Sequence, residues 1–115
     1  MYKINTMKVK SRIWIEKDNA PFLGYGRIQL LKEVDKTRSM NAAARSLNMS
    51  YKKAWRLLNE INSTAKEAVL EKQIGGKYGG GTRITPYGKR LIERFDKLNE
   101  ACIGFLEAEF KNWEL

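Results

Sequence analysis

Apolar and polar positions alternate over residues 8–16, with Val9, Ser11, Ile13 and Ile15 on one side and Lys10, Arg12, Trp14 and Glu16 on the other. A period of two predicts a strand. Lys17 to Pro21 reads as a turn, and Phe22-Leu23 as a short returning strand. Gly24-Tyr-Gly26 breaks the alternation. From Arg27 to about Lys36 the spacing becomes helical, with Ile28, Leu31 and Val34 on one face and Leu30 flanking it. After a break at residues 37–39, Ser39 or Asn41 can cap a short second helix whose Ala42, Ala43, Ala44 and Leu47 allow close packing. Asn48-Met49 ends it. Ser50 is then a good N-cap for a third helix running to about Ser63, with Ala54, Leu57, Leu58 and Ile61 facing inward.

Beyond it, residues 69–74 read as a strand, residues 75–81 as a glycine-rich loop and residues 82–85 as the returning strand. Thr85 before Pro86 is an N-cap followed by proline at the first helical position. The last helix runs from Pro86 towards the C-terminus, with Leu91, Phe95, Leu98, Cys102 and Phe105 at alternating steps of four and three. That seam is long enough to pair with a partner helix, while packing on the chain's own core accounts for about its first half. The gap between the second and third helices is about three residues, the tight connection of a helix-turn-helix. A generic three-helix domain shares that spacing. The expected fold is mainly α with small β, a single domain over 1–115. It is a winged helix-turn-helix with an N-terminal strand or hairpin, the helix pair at about 40–63 and the wing at about 69–85. A long C-terminal helix follows at about 86–113.

Charge changes this picture. With 22 Lys+Arg against 13 Asp+Glu the net charge is +9, which favours a polyanionic partner. The excess lies before residue 86, and residues 36–59 hold Lys36, Arg38, Arg45, Lys52, Lys53 and Arg56 without one acid. A basic run is often only a solvated face; on the third helix of a helix-turn-helix it favours nucleic acid. The chain has no histidine and one cysteine. The usual zinc sites and Ser–His–Asp or Cys–His catalysis are therefore excluded. No acidic pair stands out, so a binding protein without a cofactor is expected rather than an enzyme. No apolar run is long enough to cross a membrane and no secretory signal is present, so a cytoplasmic location is expected.

With Ala54, Leu58 and Ile61 inward, Tyr51, Lys52, Trp55, Arg56 and Asn59 lie on the opposite side of the third helix. Lys52 and Arg56 can donate to guanine or to phosphate, Asn59 can pair with adenine, and Tyr51 can donate to phosphate. Trp55 suits packing under the wing as well as DNA contact. The glycine-rich loop lacks the features of a nucleotide-binding loop. It reads as a slim ribbon that lets Lys77, Tyr78 and Arg83 approach a sugar–phosphate backbone, or as a plain flexible hairpin. Cys102 reads as a small buried hydrophobe rather than a sensor thiol.

The run Ser50-Tyr51-Lys52-Lys53-Ala54-Trp55 and the run Gly75-Gly76-Lys77-Tyr78-Gly79-Gly80-Gly81-Thr82-Arg83-Ile84-Thr85 together resemble the N-terminal DNA-binding domain of the molybdate-dependent (ModE-type) transcriptional regulators. Met40-Asn41-Ala42-Ala43-Ala44 stands where that family and the LysR-type regulators carry a Ser-x-x-x-Ala-Ala helix start. The resemblance spans about residues 8–112. It implies a sequence-specific regulator that binds double-stranded DNA as a homodimer on an inverted-repeat operator, with the long C-terminal helix as its dimerisation helix. Ser50, Tyr51, Lys52 and Arg56 would sit at the major groove, with Lys53 beside them and Lys77 and Arg83 on the wing. The family's regulators add a molybdate-binding C-terminal region that this chain lacks, so molybdate binding by the chain is not expected. The alternative function is a winged-helix protein-interaction module with a basic face.

Overall fold

A computed structural model describes residues 7–74 and 81–113. In chain order these form β1 (Trp14–Lys17), β2 (Ala20–Gly24), α1 (Tyr25–Thr37), α2 (Met40–Ser46), α3 (Tyr51–Thr64), β3 (Leu70–Gln73), β4 (Gly81–Ile84) and α4 (Pro86–Phe110). The two strand pairs are separate antiparallel hairpins, β1–β2 and β3–β4.

The first hairpin turns on Asp18 and Asn19, both at positive φ, a conformation that these short polar residues tolerate and that matches strand twist. Its register shifts between Ile15 and Glu16, a bulge that accommodates Pro21 in a strand. The strand expected over 8–16 is shorter than its alternation suggested. Only residues 14–17 find a partner, because β2 is a five-residue strand. Residues 8–13 run without strand pairing, and Cys102 Sγ lies 3.8 Å from Ser11 Oγ.

α1 starts two residues earlier than its spacing implied, directly from the extended Gly24. It buries Ile28, Leu30, Leu31 and Val34, each contributing roughly 1.5–3 kcal/mol by leaving water. Arg38 ends it at φ 58, donating its N–H to Val34 O at 2.7 Å. Ser39 caps α2 by accepting from Ala42 N at 3.1 Å. Residues 47–50 link α2 to α3, turning through Asn48 at φ 52, and Ser50 caps α3 by accepting from Lys53 N at 3.1 Å. Ala43, Ala44, Ala54, Leu58 and Ile61 are buried where the helices meet.

The second hairpin is tied down at both ends. Asn62 of α3 accepts from the N–H groups of Val69 (2.7 Å) and Leu70 (3.1 Å) and donates to Leu70 O (2.9 Å). Thr82 N donates to Arg38 O at 3.0 Å. Gly81 sits so close that a Cβ there would lie 2.9 Å from that same oxygen. Thr85 caps α4 by accepting from Gly88 N at 3.0 Å while its hydroxyl donates to Ala68 O at 2.6 Å. Gly88 packs against the Val69 carbonyl, with no room for a side chain.

α4 lends core residues only from its N-terminal part. Residues 7–11 lie beside its outer length, where residues 7–10 line a cleft with Gly104, Glu107 and Phe110 and Ser11 meets Cys102. Ile92 and Phe95 join the core, Tyr87 and Leu91 pack partly against it, and Asp96 pairs with Lys32 at 2.9 Å. The seam expected to face a second copy therefore divides. Phe95 is buried in the chain's own core and Leu91 is half-buried, whereas Leu98 and Phe105 are exposed. Cys102 is half-buried.

Candidate nucleic-acid interface

Ala54, Leu58 and Ile61 recur at steps of four and three, so one side of α3 is fixed in the core and the other is defined by the 3.6-residue turn. Lys52, Arg56 and Asn59 lie on that outer side, and all are exposed. Tyr51 and Trp55 lie on the flank towards β3 and are half-exposed, 50% and 46%. Lys53 and Leu57 lie on the flank towards the first hairpin, where they border a shallow cleft with Trp14, Pro21 and Arg27. The exposed face of α3 thus runs between two hairpins.

Between α3 and β3 two small clefts adjoin. One, of about 300 Å³, is lined by Ser39, Met40, Asn41, Tyr51, Lys72, Gln73, Gly81 and Thr82. The other, of about 120 Å³, holds Trp55 and Asn59 against Leu70, Glu71 and Lys72. Trp55 thus lies beside the ribbon, as its packing reading expected, and stays 46% exposed.

The cations differ in their freedom. Arg56 pairs with Glu60 one turn on at 3.0 Å, and Glu60 also accepts from Arg27 at 2.7 Å. The hydrogen bond from Arg27, then that from Arg56, holds the Glu60 carboxyl below its usual range, the expected response to adjacent positive charge. Arg83 is gripped by Glu71 across the hairpin, its Nε 2.8 Å from the carboxylate and its Nη2 on the same oxygen. Lys52, Lys53 and Lys72 form no ion pair among the described residues.

The structure brings together Ser50, Tyr51, Lys52, Lys53, Trp55, Arg56 and Asn59 on one helix. It places Arg83 on the neighbouring ribbon with an acid attached. Lys77 and Tyr78 lie outside the described residues. The sequence reading missed Lys72, although the alternation of β3 carries the signal, since Lys72 stands two residues after the inward Leu70. It also missed Asn62, whose partners are set only by tertiary folding. Among the described residues no group of three or more His, Cys, Asp or Glu could hold a metal ion, and no helix is long and apolar enough to cross a membrane.

The exposed surface of α3 is thus cationic and flanked on one side by the β3–β4 ribbon. No family model matches the chain, but curated relatives do. It is 40% identical over 84 residues to the transcriptional regulator ModE of Haemophilus influenzae, covering 73% of this chain and 33% of that protein. It is 42% identical over 72 residues to the DNA-binding transcriptional dual regulator ModE of Escherichia coli K12, covering 63% and 28%. The molybdenum-pterin-binding protein MopA of Rhodobacter capsulatus is 31% identical over 107 residues, covering 90% and 40%. Over this stretch the chain belongs to the ModE-type regulator family, matching its N-terminal domain. It spans about a third of the length of the ModE proteins it matches.

Proposed function

We propose that this chain is a winged helix-turn-helix domain that binds double-stranded DNA in a sequence-specific way and serves transcriptional regulation, not catalysis. In this reading α2 and α3 are the helix-turn-helix, α3 enters the major groove, and the β3–β4 ribbon is the wing. Lys52 and Asn59 read base edges, with Arg56 in reach when it leaves Glu60, while Ser50, Tyr51 and Lys53 meet the backbone. The observation that carries the proposal is the exposed surface of α3. Lys52 on its outer side and Lys53 on the adjoining flank form no ion pair among the described residues, and two half-exposed aromatics stand beside Lys52. The relatives' names support regulation and a link to molybdenum, so molybdenum-responsive transcription in the cytoplasm is the process proposed. The exposed outer half of α4, with Leu98 and Phe105, joins two copies, which suits an inverted-repeat operator with half-sites about 34 Å apart.

Selection of duplexes from a random pool, followed by binding over a salt series, tests this. The expected product is an inverted repeat bound with steep salt dependence and clear preference over random duplex. Lys52→Ala should erode that preference by about 1–3 kcal/mol at one base position. Binding with neither salt dependence nor sequence preference would refute the proposal and favour a protein-interaction module.

A further inference from the structure

On an antiparallel ribbon, side chains two apart share a face. Leu70 pairs with Ile84 and both are buried, and the next pair on that face is Lys72 with Thr82. Thr82 is itself buried, so Lys72 stands where the inner face of the ribbon emerges from the core, turned towards α2 and α3. Glu71 and Arg83 pair on the opposite face. Lys72 lines both clefts beside α3. Tyr51, Asn41 and Lys72 line the larger, each with a side chain able to donate, and no acid is among its lining residues. Lys72 forms no ion pair among the described residues, whereas Arg83 is held by Glu71.

We infer that this cleft seats one phosphodiester of the duplex backbone, with Lys72 and Tyr51 as its principal donors, and that Lys72 rather than Arg83 is the phosphate contact of the ribbon stem. The inference rests on the duplex-binding reading. With α3 in a groove, what lies against its flank is the sugar–phosphate wall and not a base edge. An unpaired ammonium beside hydroxyl and amide donors is suited to that anion. Arg83 must first leave a carboxylate that it already contacts with two nitrogens.

The test uses the full chain, with the selected operator and a random duplex as probes, followed by fluorescence anisotropy across a salt series. Lys72→Ala should weaken both complexes by the same factor and lower the log–log salt slope by about one. Its affinity then falls about 3.5-fold less than that of the unaltered chain between 50 and 200 mM salt. Lys72→Arg should restore the slope, which a merely structural role would not produce. Arg83→Ala should change the slope by less than half as much. An unaltered slope in Lys72→Ala, or an equal drop in Arg83→Ala, overturns the inference and leaves the duplex-binding reading standing. Absence of salt-dependent binding by the unaltered chain overturns both.

Discussion

Asn62 joins the end of α3 to the first residues of the β3–β4 ribbon, and replacing it by alanine tests how firmly the two are coupled. Its side chain makes three hydrogen bonds, two of them accepted from the N–H groups of Val69 and Leu70, which are 0% and 5% exposed. A net value of about 1 kcal/mol per bond gives about 3 kcal/mol, and buried donors left without an acceptor each cost about 1–3 kcal/mol. The expected loss for Asn62→Ala is therefore about 2–4 kcal/mol, a large share of the roughly 5–15 kcal/mol that holds a domain folded. Urea unfolding followed by circular dichroism reads it directly. With a slope of about 2 kcal/mol per molar, the middle of the usual range, the midpoint should drop by about 1–2 M. Asn62→Asp keeps one accepting oxygen but sets a second, charged acceptor against Leu70 O, where the amide now donates at 2.9 Å. It too should therefore destabilise, and less so once the carboxyl is protonated at low pH. A loss below about 1 kcal/mol in Asn62→Ala at unchanged slope would refute the reasoning.

Three further expectations follow from the same geometry. Gly81→Ala should destabilise by about 1–3 kcal/mol, because the added methyl meets the Arg38 carbonyl at 2.9 Å and backbone cannot yield cheaply. Gly26→Ala, with open space around it in the first turn of α1, should be neutral or stabilising by up to about 1 kcal/mol; equal melting shifts for the two would count against the close approach. The depressed Glu60 carboxyl contributes stability that is complete above its unfolded pKa near 4.5 and is lost as pH falls through the folded value. The stability gap between the unaltered chain and Glu60→Gln should therefore be widest near neutrality and close below about pH 4.5; a gap independent of pH would contradict the pairing. Finally, Phe105→Ser should shift sedimentation towards the single chain while leaving the melting of the body nearly unchanged, since Phe105 is 64% exposed and outside the core.

Local rules account for much of what was readable in advance. Ser39, Ser50 and Thr85 announce helix starts because their caps depend on neighbours three residues away. The inward trio Ala54, Leu58 and Ile61 follows from periodicity, which also fixes the outward position of Lys52, Arg56 and Asn59. What failed was non-local. The alternation of residues 8–13 is real, but a strand also needs a partner of matching length. Gly24 and Gly26 read as a break, whereas Gly24 begins α1 as its extended cap. Phe95 fits a heptad seam equally well whether its neighbour is a second copy or α1. The charge count located the basic region but could not assign freedom. Arg56 had its acid at the i+4 spacing in plain view, while the Arg83–Glu71 contact needed the hairpin register.

The shape of α4 has a consequence of its own. The helix is about 37 Å long at 1.5 Å per residue, and every residue that it lends to the core lies at or before Phe95. The remainder projects past the core, with residues 7–11 beside it. Substitutions on its exposed side, such as at Leu98 and Phe105, leave the buried core untouched. The reach of the molecule and the shape of its α3 face can therefore drift independently in evolution.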